Sequence, residues 1–301
     1  MIEYFLYLIL GLVGLWYSAE KTVGNAEDLV KSLGIPGFMF GAVFISVSTG
    51  LPELATAVIS AFEGVPELSA GDIIGSSLVN MTLVLGISII AAKGLELHGE
   101  DLELIRDAGI ATIVAAMVLL IFQSLSLSVV ILLLLIYVVF LYKAEHEAFQ
   151  IDENGDASKK TVLMALLGVG ALLISARIMV VGAKGLGETL GVPIELLGAT
   201  VVAVGTGLPE LAFEVAAIKE GDYSLALGDI FGSTLVNITL SLGILGLISD
   251  PSIISLLPVL IGIVIVGCLA LVFSWKGEFS MKEASILLLV FLVYVGFQIL
   301  R

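Results

Sequence analysis

Two glutamates have a setting in which a carboxylate is expected to do chemistry. Glu53 and Glu210 each follow a proline, Pro52 or Pro209, inside a long apolar stretch. A proline within a helix lacks an N–H and clashes with the carbonyl group four residues earlier. Both stretches are therefore predicted to place a carboxylate beside freed backbone carbonyl oxygens, which an apolar setting tolerates only where they line protein or a polar cavity.

The cost of burying these carboxylates indicates what they bind. Counting along the apolar stretches places both near the centre of a membrane-spanning segment, where an isolated charge is expensive. No lysine or arginine lies at a similar depth unless Arg177 reaches inward. The remaining partners are a proton or a bound cation, so the sequence predicts a cation or proton site, with a structural protonated pair as the alternative.

Small polar residues follow each glutamate about one helix later. They are Ser76, Ser77 and Asn80 in the first stretch and Ser233, Thr234 and Asn237 in the second. Residues four apart, such as Ser76 and Asn80, share one helix face. Alone, such residues more often join helices in membranes. Repeated beside two glutamates, they are predicted to complete an all-oxygen site, which suits a hard cation such as Ca2+.

Three further acids lie near these residues. Asp72 and Asp229 come one helical turn before the serines, and they are either vestibule charges that concentrate cations or helix-start residues favoured by the dipole. Glu214 lies one turn after Glu210, and its role stays open between a protonatable gate and a surface acid.

Composition places this chemistry in a membrane. Of the 301 residues, 59% are hydrophobic, and a soluble protein keeps more polar residues for its surface. The apolar N-terminal stretch, with no basic segment before it, is predicted to be part of a first span and not a signal peptide. We predict an all-α polytopic protein with ten spans, at about 4–24, 36–62, 67–92, 104–123, 125–144, 161–187, 193–218, 223–248, 253–274 and 281–299.

An internal repeat organises these spans. Shifting the chain by 157 residues aligns residues 49–87 with residues 206–244 without a gap and with 24 identities. Five spans separate the copies, and because five is odd the copies are predicted to have opposite orientations in the membrane. Residues 1–148 form the first five-helix half (motif 41–87), residues 149–160 a cytoplasmic linker, and residues 161–301 the second, inverted half (motif 198–244). Inverted repeats with a site near the midplane are typical of secondary transporters.

Basic residues predict the orientation. With an external N-terminus, ten of the thirteen lysines and arginines fall on the cytoplasmic side, which is the expected bias. We therefore predict a multi-pass protein of the cell membrane with both termini outside. The net charge of −15 argues against nucleic acid as a partner. The single cysteine, Cys268, cannot form an internal disulfide and is expected to be buried.

At these motifs the sequence resembles the cation/Ca2+ antiporter superfamily, nearest its sodium/calcium exchanger branch, which has ten helices in two inverted halves. The resemblance implies that a central Ca2+ is held by the carboxylates of Glu53 and Glu210 and the carbonyls of Thr49 and Thr206. It implies that Asn80 and Asn237 lie near the centre. The flanking counter-ion sites implied by the family pattern involve Ser46, Ser76, Ala203 and Ser233. The first and sixth helices would slide across a rigid core of the other eight.

Two departures from the family pattern bear on the counter-ion. Exchangers often have a serine after the threonine, where this chain has Gly50 and Gly207, and often an aspartate where it has Asn237. These changes put the sodium sites and a three-for-one stoichiometry in doubt, so both Na+ and H+ stay open as the driver. Two monovalent cations per Ca2+ is our working hypothesis.

Other classes of function fit less well. A cation channel would not need inverted repeats with interrupted helices. An intramembrane aspartyl protease needs aspartates in Y-D and G-x-G-D settings, and these are missing around Asp72 and Asp229. A proton-driven antiporter of Ca2+ or another divalent cation keeps the same fold. The expected partners are Ca2+, a monovalent counter-ion and the lipid bilayer, with no cofactor, enzymatic activity or obligatory protein partner indicated.

Overall fold

The computed structural model describes residues 1–31, 46–96, 99–148 and 159–300, and these are almost entirely helical. The described residues of the first half form seven α-helices. They are α1 (Ile2–Lys31), α2 (Ser46–Thr49), α3 (Leu51–Phe62), α4 (Pro66–Val79), α5 (Leu85–Ala92), α6 (Glu100–Phe122) and α7 (Leu127–Ala148).

The second half continues in the same way. Its α-helices are α8 (Lys159–Leu190), α9 (Ile194–Leu197), α10 (Ala203–Glu220), α11 (Tyr223–Val236), α12 (Leu242–Ile248), α13 (Leu257–Trp275) and α14 (Met281–Leu300). Short π-helical turns join three pairs of them: Asn80–Val84 between α4 and α5, Gly198–Val202 between α9 and α10, and Asn237–Ser241 between α11 and α12. A 3-10 turn, Ile254–Leu256, precedes α13.

Nine helical segments in the described part of the chain are long and apolar enough to cross a bilayer. They are Ile2–Ala19, Pro66–Ala92, Leu102–Phe122, Leu127–Ala144, Leu167–Leu190, Ile194–Glu220, Tyr223–Ile248, Ile254–Trp275 and Met281–Gln298. The shorter apolar helix α3 coincides with the end of the remaining predicted span, 36–62, whose beginning lies outside the described residues. Most of the predicted linker 149–160 also lies outside them.

The two prolines have different effects on their helices. Gly50 separates α2 from α3, and Pro52 lies in the first turn of α3. In the second half, by contrast, α10 runs without interruption through Pro209. The predicted interruption is therefore present at the first proline and wrong at the second. One lost hydrogen bond inside a long membrane helix can be absorbed by its neighbours, so the helix need not end.

Two large hydrophobic clusters and a small one, at Ala217, Ile218 and Ala226, fill the interior of the described bundle. The largest includes residues of α4 to α7 and of α11 to α14, together with Ala57 of α3. The second large cluster lies mainly between α1 and α8 and also includes Ala55, Leu68 and Val202. The α1–α8 pair is thus largely packed on itself, with limited apolar contact to the rest of the bundle.

Glycines let α1 and α8 approach closely. A β-carbon at Gly11 would collide with the backbone of Met179, and one at Gly182 would collide with the backbone of Leu8. Small residues that bring backbones together are the usual basis of helix association in membranes. A second close crossing joins α4 to α9, where a β-carbon at Gly71 would collide with the carbonyl group of Glu195.

Polar contacts hold the ends of several helices. A two-residue antiparallel ribbon pairs Leu95–Glu96 with Glu278–Phe279, between the ends of α5 and α13. Lys143 pairs with Asp107 at 3.1 Å. Cys268, expected to be buried, is exposed on α13, because an apolar residue of a membrane helix can face lipid as readily as protein.

Candidate functional site

The two glutamates lie in the interior of the bundle. Glu53 is in the first turn of α3 with 0% of its surface exposed, and Glu210 is in α10 with 2% exposed. The Thr206 hydroxyl lies next to Glu53 and the Asn80 amide next to Glu210, yet none of the four carboxylate oxygens accepts a hydrogen bond of normal geometry. Arg177 does not reach inward. Its guanidinium group pairs instead with Glu63 at 3.1 Å, with 69% of its side chain exposed.

Helices α4 and α11 face each other through a reciprocal pair of hydrogen bonds. The Asn80 side-chain amide donates to Ser233 Oγ at 3.1 Å, and the Asn237 side-chain amide donates to Ser76 Oγ at 3.3 Å. In each bond, the asparagine of one half of the repeat donates to the serine of the other half. Both amide oxygens, Asn80 Oδ1 and Asn237 Oδ1, are buried without a hydrogen-bond partner. One N–H of each amide is used between the helices, and the carbonyl oxygen of each amide is free to bind a ligand.

The glycines before the prolines lie beside these amide oxygens. A β-carbon built on Gly50 would lie 3.7 Å from Asn237 Oδ1, and one built on Gly207 would lie 3.8 Å from Asn80 Oδ1. The positions of Gly50 and Gly207, where exchangers often have a serine, are therefore adjacent to the unpartnered oxygens.

Two threonine–aspartate hydrogen bonds flank the glutamates and are also reciprocal. Thr49 Oγ1 donates to Asp229 Oδ1 at 3.0 Å, and Thr206 Oγ1 donates to Asp72 Oδ1 at 3.0 Å. Both aspartates are completely buried in the middle of α4 and α11. In this conformation they occupy neither an open vestibule nor a helix start. The sequence could have suggested these pairs, because both residue types recur within the repeated segment.

The other predicted site residues are placed as follows. Ser46 Oγ donates to the backbone carbonyl of Asp229 at 3.3 Å, and its repeat equivalent, Ala203, is buried against α4 near Gly75. Ser77 and Thr234 donate to the carbonyls of their own helices, so they are accounted for without a ligand.

Glu214 is buried rather than at the surface. It is 1% exposed, which makes a surface acid wrong and leaves an interior role. Its carboxyl group lies against that of Asp229 and within electrostatic reach of Glu210, and its Oε2 atom has no hydrogen-bond partner. Five acids are therefore gathered in the interior of the bundle: Glu53, Glu210, Glu214, Asp72 and Asp229.

The chemistry of the central group is that of a hard-cation site. Among the described residues, no group of three or more His, Cys, Asp or Glu side chains forms a metal-binding cluster. The central group instead combines two carboxylates with two neutral amide oxygens, all six atoms buried and without hydrogen-bond partners. Buried oxygens without a partner are costly unless a hydrogen-bond donor or a cation satisfies them, and oxygen-only sets suit Na+ or Ca2+. An all-helical membrane protein with such an interior belongs to the class of cation transporters.

Comparisons with known proteins specify the class. The chain matches the sodium/calcium exchanger protein family over residues 3–144 and 160–300. It is 25% identical to the sodium/calcium exchanger MaX1 of Methanosarcina acetivorans, with 97% of each chain covered. It is 28% identical to the putative antiporter CaxA of Alkalimonas amylolytica, with 83% of this chain and 82% of that protein covered.

A solved structure agrees with these matches. The sodium-calcium exchanger NCX_Mj, soaked with Na+ and Sr2+, superposes with a TM-score of 0.74 at 25% identity, covering 98% of both chains. The protein is a member of the sodium/calcium exchanger family. It is therefore a transporter of the cation/Ca2+ antiporter type, and not an enzyme.

Proposed function

We propose that the protein exchanges Ca2+ for Na+ across the cell membrane by alternating access at the site between Glu53 and Glu210. The observation that carries the proposal is the set of six unpartnered buried oxygens, four from these carboxylates and two from Asn80 and Asn237. Two carboxylates neutralise one divalent cation, and neutral oxygens complete a flexible shell. The names and matches of the relatives support the same cargo.

The remaining ligands follow from the family pattern. The backbone carbonyls of Thr49 and Thr206 complete the Ca2+ shell, and the counter-ion sites use the positions of Ser46, Ser76, Ala203 and Ser233. Support comes from burial, since all six residues lie in the interior of the described bundle.

The architecture of the proposal is ten spans in two inverted five-helix halves. It is supported by the 157-residue repeat, by π turns that begin at both Asn80 and Asn237, and by hydrogen bonds that recur with the halves exchanged. The bias of basic residues supports external termini.

The moving part of the proposal is the α1–α8 pair. Its support is the separate hydrophobic cluster between these helices and their close glycine contacts. A pair packed mainly on itself can shift against the remaining bundle without disrupting the larger core. Lys184 Nζ and Arg177 of α8 donate hydrogen bonds to Glu63 at the end of α3. Such a shift would break these bonds.

Protons are the second candidate driver, and one observation favours them. Gly50 and Gly207 offer no side-chain oxygen beside the glutamates, whereas Na+ requires oxygen ligands and a proton requires only a carboxylate. The family membership favours Na+, and we propose two Na+ per Ca2+ because the central site carries two carboxylates.

The test is Ca2+ uptake into proteoliposomes with the gradients imposed separately. Vesicles loaded with Na+ are expected to accumulate Ca2+, while vesicles loaded with choline at an acidic internal pH are expected not to. Uptake driven by the acidic interior alone would show that H+, and not Na+, is the driving ion. Strong dependence of Na+-driven uptake on membrane potential would refute the two-for-one count.

Two substitutions test the site itself. Glu53→Gln and Glu210→Gln are each expected to reduce Ca2+ uptake to near background, because a divalent cation beside one carboxylate is poorly neutralised. Asp107→Asn is the control, since it removes a carboxylate that is paired with Lys143 away from the central glutamates. Wild-type uptake at low Ca2+ by either central variant would exclude that residue as a ligand.

A further inference from the structure

The two halves of the repeat differ at one buried position that the central site does not use. Glu214, one turn beyond Glu210 in α10, corresponds to Ala57 in α3. Both residues are buried, at 1% and 0% exposure. The neighbouring aspartates, Asp229 and Asp72, are present in both halves and have equivalent threonine partners. The second half therefore carries one additional interior carboxylate.

The carboxyl group of Glu214 lies within hydrogen-bonding reach of that of Asp229. Thr49 Oγ1 donates to Asp229 Oδ1, while Asp229 Oδ2 and Glu214 Oε2 are both buried and have no hydrogen-bond partner of normal geometry. No lysine or arginine among the described residues forms an ion pair with either acid. Two adjacent carboxylates in an apolar interior are stable only with a bound positive charge or a proton.

We propose that Glu214 and Asp229 form a second divalent-cation site, which receives Ca2+ from one face of the membrane before it reaches Glu53 and Glu210. The proposal rests on the proposed function. Two carboxylates of this kind provide the same charge and oxygen chemistry as the central pair. Because the two sites lie about 6 Å apart by helix rise, repulsion between divalent ions makes them fill in turn and not together.

The position of Glu214 in α10 defines the face. Glu214 lies between Glu210 and the end of α10, which is reached at Lys219 and Glu220. At the opposite face the equivalent path passes Asp72 and Ala57, with a single acid. The second site is therefore present on one side only, which in the proposed orientation is the cytoplasmic side. Its consequence is a lower KM for Ca2+ at that face than at the opposite one.

The experiment measures the KM for Ca2+ at each face, in right-side-out and inside-out membrane vesicles. Glu214→Gln keeps the shape of the side chain, and Glu214→Ala reproduces the first half of the repeat. Both are expected to raise the KM at the α10-end face on the order of tenfold, the effect of losing one charged ligand, and to leave the KM at the other face unchanged. Glu220→Gln, an exposed acid at the same face, is the control for a general surface-charge effect.

The outcomes separate this inference from the function on which it rests. Absence of Ca2+ transport by the wild-type protein would refute the proposed function. Normal transport with an unchanged ratio of the two KM values in Glu214→Gln would refute the second site alone. Equal changes at both faces would also overturn it, because they would indicate an effect on the central site, and an equal effect of Glu220→Gln would reduce it to surface charge.

Discussion

Replacing Gly207 by serine is expected to strengthen the dependence of Ca2+ transport on Na+. The position lies beside an unpartnered amide oxygen, and a β-carbon there meets Val79 Cγ1 at 3.6 Å and Asn80 Oδ1 at 3.8 Å, both ordinary van der Waals distances. The side chain therefore fits without moving its neighbours. Its hydroxyl group would add a neutral oxygen near Glu210, beside the amide oxygen that Asn80 already supplies.

The size of the effect follows from two contributions. Serine is more favourable than glycine within a helix by about 0.5 kcal/mol, so α10 should not be destabilised. One additional oxygen ligand to a cation, after the cost of its desolvation, is worth about 1.4 kcal/mol, which corresponds to roughly a tenfold lower half-saturating Na+ concentration. Gly50→Ser should gain less, because a β-carbon there meets the Ser46 carbonyl oxygen at 3.1 Å and requires a small adjustment.

The assay is Na+-driven Ca2+ uptake in proteoliposomes over a range of internal Na+ concentrations. Gly207→Ala is the matched control, because it adds the same β-carbon without the oxygen. The reasoning would be refuted if serine and alanine had the same effect, or if serine changed the KM for Ca2+ as strongly as the half-saturating Na+ concentration. The first result would mean that no Na+ ion comes within reach of this side chain.

Three further perturbations test the fold and the topology. Gly71→Leu is expected to prevent stable folding, measured by size-exclusion profile and melting temperature, because its β-carbon would collide with backbone; a wild-type melting temperature would contradict that crossing. In a background with Cys268→Ala, cysteines at Glu63 and Asp156 are expected to react with an impermeant thiol reagent from opposite sides, the first from outside, and labelling from one side would contradict the inverted topology. Arg177→Gln removes an exposed ion pair worth less than about 1 kcal/mol and is expected to change the transport rate less than tenfold, whereas complete inactivation would show that the pair is indispensable.

Much of the helical framework could be predicted from the sequence because membrane spans are visible as long apolar stretches. The segment predicted at 281–299, for example, is observed as Met281–Leu300. Asn80 and Asn237 could be singled out because they occupy equivalent positions in the two copies of the repeat. Their roles as ligands stay predictions, but the hydrogen bonds that join them to Ser233 and Ser76 bring the predicted positions together.

Other features depend on contacts that one sequence does not encode visibly. Pro209 was expected to interrupt its helix, but whether a proline breaks or only perturbs a membrane helix depends on the neighbours that surround it. The burial of Glu214 and the exposure of Cys268 could not be predicted for a different reason. Apolar surroundings in sequence do not reveal whether a residue faces protein or lipid, because both environments select the same residue types.

The π turns have a consequence for the way each central helix meets its surroundings. A π turn holds one residue more than an α-helical turn, so the helix beyond it is rotated by about 100° relative to an uninterrupted helix. In Pro66–Ala92 and Tyr223–Ile248 the extra residue falls at Asn80–Val84 and Asn237–Ser241, just after the segments that carry Ser76 and Ser233. Each helix can therefore direct one face toward the opposite half of the repeat before the turn and a differently directed face to its packing partners after it. Deleting a single residue in either turn would restore the regular α-helical hydrogen bonds and turn every following side chain away from its present neighbours. The π turn therefore fixes the direction in which the side chains of the second half of the helix point.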